Sequence, residues 1–366
     1  METLTLVLFL LGFGLLLLGA EVLVRGASHL ASVMRISPLV IGLTVVAYGT
    51  SAPELAVSVS SAWSGTADIA LGNVIGSNIC NILLILGASA LVAPLVVQQR
   101  LVRVDVPLMI VLSVVVLLIG LDGTVGRIDG LILAVGAVSY TVLLVRAGRR
   151  SQSQGAKEEA PVVKPRHWSI DLLLIGAGLG MLVVGSDWLV DGAVAIARSL
   201  GVSELIIGLT IVAVGTSLPE LATSVVAAVR GERDIAVGNI VGSNIFNILA
   251  VLGFSATFAP DGIAVSPVAL GFDIPVMIAV AVACLPIFFT GLRIERWEGA
   301  VFVGYYVAYT AYLILAASKH AALPVFTKVM GMFVLPVTAL ALLLVALRQW
   351  KLSRDAARSS NPSALV

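Results

Sequence analysis

Apolar residues along this chain fall into long runs that do not alternate with polar ones. Eleven runs, at about 4–24, 38–62, 69–93, 104–121, 128–146, 170–190, 203–229, 235–258, 271–290, 299–317 and 324–347, approach or exceed the roughly 20 residues that carry a helix across the hydrocarbon core. The lack of alternation excludes a membrane β-barrel. The first run is longer than a signal-peptide core, has no basic stretch before it and shows no small-residue cleavage site, so it reads as a retained span. Composition agrees, because 59% of the 366 residues are apolar and 12% charged, against about 45–50% and 25% in soluble domains. The pattern therefore predicts an all-α polytopic membrane protein, with the lipid bilayer as its first partner.

Charge then sets an orientation. With the N-terminus outside and the spans alternating, 18 of the 22 Lys and Arg residues fall on the cytoplasmic side, leaving only Arg127, Arg198, Lys319 and Lys328 outside. Cytoplasmic loops hold the basic excess, so the chain is expected in the cell membrane with its N-terminus outside and its C-terminus cytoplasmic. The net charge of +1 offers no basic surface for nucleic acid. Cys80 and Cys284 lie inside apolar runs, and His29, His167 and His320 are scattered near segment ends. A disulfide framework, a thiolate site and a zinc enzyme are disfavoured on those grounds.

The chain also repeats itself. Residues 42–87 align without a gap on 208–253, and 30 of the 46 positions are identical. Five spans separate the copies, an odd number, so the second copy enters the membrane from the opposite side. Loop charge follows: Arg25 corresponds to Asp191, and the loop 63–68 has no base where its counterpart 229–234 has Arg230 and Arg233. Inverted-topology repeats of this kind are used by many secondary transporters; a duplicated bundle without a transport role is the plain alternative.

Within each copy, two segments carry polar groups at membrane depth. In Gly49-Thr50-Ser51-Ala52-Pro53-Glu54 the proline has no N–H and clashes with the carbonyl four residues back, so the helix must break. The break frees carbonyls from Ala47 to Thr50, and Glu54 stands one turn after Thr50. Gly215-Thr216-Ser217-Leu218-Pro219-Glu220 repeats the device, with Ala213 in the place of Ala47. An ionised carboxylate at mid-membrane costs at least about 2.5 kcal/mol, and no Lys or Arg sits at matching depth, so each glutamate is either protonated or bound to a cation. The next helix carries Asn73, Ser77 and Asn81 on one face, within about 40° of each other, with Asn78 alongside. Its counterpart carries Asn239, Ser243, Asn247 and Asn244. For Ser77, Asn81, Ser243 and Asn247, which stand with the glutamates, ligation is the favoured reading. For Asn73, Asn78, Asn239 and Asn244, hydrogen bonding between helices serves equally well. Carboxylate, amide, hydroxyl and carbonyl oxygens without sulfur or imidazole select hard cations, and a flexible cage suits Ca²⁺ or Na⁺ better than Mg²⁺. Asp105, Asp273, Asp68 and Asp234 near span starts read as helix caps, and Arg149, Arg150, Lys157, Glu158 and Glu159 as a solvated linker.

At these residues the sequence resembles the sodium/calcium exchanger family of the cation/calcium antiporter superfamily. The paired GTSxPE and GNxxGSNxxN motifs look like its two α-repeats, and the likeness covers about 1–318, including Asp105-Val106-Pro107 and Asp273-Ile274-Pro275. The resemblance implies ten core helices: a first five-span repeat over 1–146, a cytoplasmic linker over 147–168, and a second five-span repeat over 169–318. Residues 319–366 then add an extra C-terminal span and tail with no assigned transport role. It also implies a cation centre in which Glu54 and Glu220 are the carboxylates, and Thr50, Thr216, Ser51, Ser217, Ser77 and Ser243 give hydroxyls. Ala47 and Ala213 would give carbonyls, and Asn81 and Asn247 would complete the set. The family often has an aspartate where Asn247 stands, as in potassium-dependent members, which leaves potassium coupling open. The linker lacks calcium-sensing domains, which points to a prokaryotic-type member.

The expected function is exchange of Ca²⁺ for Na⁺ by alternating access, electrogenic if the family's larger sodium load holds, without a cofactor and with no protein partner to infer. Ca²⁺/H⁺ antiport on the same scaffold is the alternative. A channel would pass cations without a counter-ion, and an enzyme is disfavoured because no Ser/His or paired-Asp arrangement lies at membrane depth.

Overall fold

The structure is a computed structural model that describes residues 3–34, 36–154, 167–289 and 292–340. Arg35, the linker residues Lys157, Glu158 and Glu159, and the tail from 341 lie outside the described residues, as do the side chains of Asp68, Arg149 and Arg150. Each of the eleven apolar runs has its counterpart in a helix or a bent pair. In chain order these are α1 (Leu4–Met34), the pair α2 (Pro38–Thr50) and α3 (Ala52–Trp63), α4 (Ile69–Val92), α5 (Leu101–Asp122) and α6 (Arg127–Gly148). The second half has α7 (Trp168–Ser199), the pair α8 (Gly208–Gly215) and α9 (Leu218–Val229), α10 (Arg233–Phe258), the shorter α11 (Ala269–Leu285), α12 (Arg296–Ala317) and the peripheral α13 (Leu323–Leu340). Lipid-facing positions such as Leu10, Ile132, Leu143 and Leu173 are exposed and apolar, the reverse of what water would allow on that scale.

The two halves interlock. Helix α1 runs along α7, rising through 31 and 32 residues respectively, about 46–48 Å at 1.5 Å per residue. Their contact depends on glycine: a Cβ on Gly12 would stand 2.8 Å from the carbonyl oxygen of Gly185, and one on Gly19 would stand 2.8 Å from that of Gly178. The last span of each half clamps the third span of the other at a second glycine contact, Gly130 against Gly253 and Gly299 against Gly87. In lipid, without a hydrophobic drive between helices, such close backbone approach is what holds spans together. Two short antiparallel ribbons add to the helical expectation. Strand β1 (Leu95–Val96) pairs with β4 (Arg293–Ile294), and β2 (Thr124–Val125) with β3 (Ile263–Ala264), each joining one half to the other. Helix α13 touches the bundle through Tyr305, whose hydroxyl lies 2.6 Å from that of Thr338.

Widened π-turns recur at related places: Gly42–Val46 and Gly208–Val212, Asn81–Leu86 and Asn247–Leu252, Leu101–Asp105 and Ala269–Asp273. Such turns concentrate at functional sites, and here two of them begin at the central asparagines.

The seam predicts a contrast within α7. Gly178→Ala places a methyl group against the backbone of α1 and is expected to destabilise by about 1–3 kcal/mol. Gly176→Ala, where a Cβ meets nothing within 4 Å, is expected to be neutral or slightly stabilising. Thermal unfolding of the two variants in detergent checks this, and equal melting temperatures would refute it.

Candidate cation site

Each hinge is built locally. Ser51 leaves the helical region (φ −85°, ψ 9°), ends α2 and lets Pro53 take a first-turn place in α3, where its missing N–H does no harm. Ser217 does the same before Pro219 (φ −91°, ψ 6°). The chain turns by 46° at the first hinge and 62° at the second. Glu54 and Glu220 follow in the first turn of the new helix, each 1% exposed, so both carboxylates start from hinge geometry and point into protein.

The hinges face each other across the bundle and exchange hydrogen bonds. Ser51 donates to Glu220 Oε1 at 2.8 Å, and Ser217 donates to Glu54 Oε1 at 3.3 Å. Thr50 donates to Asn239 Oδ1 at 3.1 Å and Thr216 to Asn73 Oδ1 at 3.4 Å. Ser77 lies 3.4 Å from Ser217, hydroxyl to hydroxyl. Asn81 donates to Asn244 Oδ1 at 3.3 Å, and Asn247 donates to Asn78 Oδ1 at 3.1 Å. One oxygen of each central group is left over: Glu54 Oε2, Glu220 Oε2, Asn81 Oδ1, Asn247 Oδ1 and Ser243 Oγ are buried without a partner. Buried acceptors without donors are rare in native proteins and call for an explanation. Here no Lys or Arg ion pair among the described residues reaches either glutamate, and a hard cation fits an all-oxygen set. No cluster of three or more His, Cys, Asp or Glu occurs among the described residues, so neutral oxygens must make up the rest of any shell.

The sodium/calcium exchanger protein family model matches residues 4–146 and 170–315, most of the chain. This chain belongs to that family. It is 42% identical over 316 residues to a putative antiporter, CaxA, of Alkalimonas amylolytica, covering 84% of this chain and 98% of the relative. It is 31% identical to the sodium/calcium exchanger MaX1 of Methanosarcina acetivorans, over 86% of this chain and 99% of that one. A solved structure of the sodium-calcium exchanger NCX_Mj soaked with Na⁺ and Ca²⁺ superposes with a TM-score of 0.73 at 33% identity, covering 85% of this chain and 99% of that one.

The exchanger's two halves are alike in sequence but differ in packing at opposite ends. Where α10 begins, α2 closes on it: a Cβ on Gly42 would lie 2.9 Å from the carbonyl oxygen of Ile235, one on Gly238 2.9 Å from that of Leu39, and one on Gly242 2.8 Å from Cα of Leu43. Where α4 begins, the equivalent Gly208, Gly72 and Gly76 meet nothing within 4 Å. A cavity of about 380 Å³ opens there, lined by Gly72, Gly76, Gly208, Ala213, Asp273 and Tyr309 among others. Accordingly Ala47, Thr50 and Asn239 are buried, whereas Ala213 is exposed and Thr216 and Asn73 are half-buried. Backbone packing closes one end of the bundle, while at the other the cavity opens a passage as far as Ala213 and Gly76, with Glu54 and Glu220 still buried.

Several sequence readings change. Asn73, Asn78, Asn239 and Asn244 each have both amide atoms engaged. Asn73 and Asn239 donate at 2.9 Å to Ser58 and Ser224, and Asn78 and Asn244 point at the thioethers of Met277 and Met109. Their places are those of hydrogen-bonding struts. Ser58 and Ser224, identical in both copies and one turn beyond the glutamates, belong to the hinge assembly and were legible from the repeat. The carbonyl of Ala47 accepts from the Ser51 N–H at 3.1 Å. Asp105 is no cap. Its side chain makes no capping bond and accepts from Tyr140 at 3.0 Å, and Asp273 accepts from Tyr309 at 3.4 Å. Asp234 is held by Gln98 at 2.7 Å, and the residue at the cap position is Glu232.

One-sided access is testable by thiol labelling, because Cys80 and Cys284 are buried. A cysteine introduced by Ala213→Cys is expected to react with a water-soluble thiol reagent at least about tenfold faster than one introduced by Ala47→Cys, reactivity following exposure. Equal rates would mean that the two ends are equally open.

Proposed function

We propose that the protein exchanges Ca²⁺ for Na⁺ across the cell membrane by alternating access, with the transported cation held between Glu54 and Glu220. The observation that carries this reading is the set of partnerless buried oxygens on Glu54, Glu220, Asn81 and Asn247. In it the two carboxylates and two amide oxygens are the centre, joined by Ser243 and by the hydroxyls of Ser77, Ser51, Ser217, Thr50 and Thr216. The carbonyls of Ala47 and Ala213 border the hinges. Two carboxylates match one Ca²⁺, and a return load of more than two Na⁺ would leave net positive charge, making exchange electrogenic. Relatives named as sodium/calcium exchangers favour sodium as the counter-ion. Protonation of the same carboxylates would empty the site equally well, so proton coupling is the reading to test against.

Within this reading, 1–146 and 169–318 are the two repeats that trade conformations, 147–168 is the cytoplasmic linker, and 319–366 stands outside the exchange machinery. The positive-inside distribution supports an outer N-terminus and a cytoplasmic C-terminus. With that orientation α4 and α8 begin outside, and the open passage faces the exterior. The protein is a transporter and works without enzymatic chemistry.

Purified protein in sealed vesicles is expected to take up Ca²⁺ when a Na⁺ gradient is imposed at fixed pH on both sides. Uptake driven by a pH gradient alone would favour the proton reading. Glu54→Gln or Glu220→Gln, each removing one of two charges from a buried centre, is expected to bring uptake to background while the protein remains folded in detergent; wild-type uptake in either would sink the site assignment. An imposed membrane potential is expected to change the uptake rate, and indifference to voltage would make the exchange electroneutral.

A further inference from the structure

The two repeats carry a second pair of carboxylates that the exchange site leaves unused. Asp105 and Asp273 occupy matching positions, each ending a π-turn at the start of an outer span. Each faces a tyrosine from the last span of its own half, Tyr140 or Tyr309. Their surroundings differ. Asp105 is fully buried, its bond to Tyr140 is 3.0 Å, and its Oδ2 has no partner. Asp273 is half-buried, its bond to Tyr309 lengthens to 3.4 Å, and it lines the open passage. Every other residue lining that passage is uncharged, no base among them. The same cavity wall includes Ala213, at the hinge, and Gly76, next to Ser77.

A cation leaving bulk water for a narrow, largely apolar passage loses hydration before it gains the ligands at the centre. A single unneutralised carboxylate along the way offsets that loss and raises the local cation concentration. We propose that Asp273, steadied by Tyr309, is a staging ligand for the hard cation travelling along the open passage, distinct from the central site. Asp105 with Tyr140 plays the same part for the opposite face when the conformations exchange. In the present conformation Asp105 is latched because its passage is shut.

The inference rests on the calcium-transport reading above, and its test is sided. Vesicles with protein in one known orientation are titrated with isotope-labelled Ca²⁺ in calcium-for-calcium exchange, which needs no sodium gradient. Asp273→Asn is expected to raise the half-saturating Ca²⁺ about fivefold from the face that its passage opens to. From the other face it stays within error, with the maximal rate reduced less than about twofold. Asp105→Asn is expected to show the mirror pattern, and Asp273→Glu to restore much of the affinity. Unmoved half-saturation, an equal shift from both faces, or a lower maximal rate alone would overturn the staging role while parental exchange keeps the central site intact. Parental protein without calcium-for-calcium exchange would sink the transport reading and this inference together.

Discussion

Two carboxylates buried in a membrane protein, with no base among the described residues to neutralise them, set the terms for everything around them. Ionised and unpartnered, each would cost several kcal/mol, so the fold must either keep them protonated or surround a cation with oxygen. The surroundings of Glu54 and Glu220 suit the second course. Each hinge spends its serine on the other half's glutamate, Ser51 on Glu220 and Ser217 on Glu54, which fixes one carboxylate oxygen and leaves the other free. Asn81 and Asn247 are held in the same manner: their amide nitrogens are tied to Asn244 and Asn78, and their oxygens are left over. The struts use up donors so that acceptors remain.

Crossed bonding of this kind requires the halves to approach closely, and inverted duplication supplies the means. Because the halves are related by a pseudo-two-fold axis, one glycine pattern serves both sides of a contact. Gly12 meets Gly185 where Gly19 meets Gly178, and Gly130 meets Gly253 where Gly87 meets Gly299. A side chain larger than hydrogen at any of these would push apart helices that join the two halves. The seam and the centre are therefore parts of one constraint, although α1 and α7 contribute no ligand to it.

Much of this was legible in the chain. The eleven spans follow from run length, the hinges from Pro53 and Pro219, and the pairing of Glu54 with Glu220 from a gapless repeat. What escaped did so for identifiable reasons. The tyrosine partners of Asp105 and Asp273 lie beyond the gapless stretch, where the offset between halves changes by a few residues, so the carboxylates read as caps. Met109 and Met277, which touch the central asparagines, were hidden in the same way. The glycine seam was invisible because Gly12, Gly19, Gly178 and Gly185 sit in apolar runs with no pattern but their spacing. The π-turns at Asn81 and Asn247 depend on tertiary packing, which local composition does not encode.

The difference between the two ends could not come from the motifs at all. Two identical repeats would have equal energy with either end shut, and neither conformation would be favoured. The preference must arise where the copies differ, and the closed end is where they differ most in charge. There Glu21 of α1 pairs with Arg230 and with Arg25, and Ser28 donates to Glu232 at 2.6 Å, tying α1 to the turn between α9 and α10. At the open end the corresponding residues are Asp187 and Asp191 on α7, and the turn between α3 and α4 has Ser64 and Thr66 in place of Arg230 and Glu232. No ion pair among the described residues joins α7 to that turn. Helix α1 packs along α9, whereas α7 makes no comparable contact with α3. The shared core thus treats the two ends alike, and what sets them apart is the loop charge that the copies do not share.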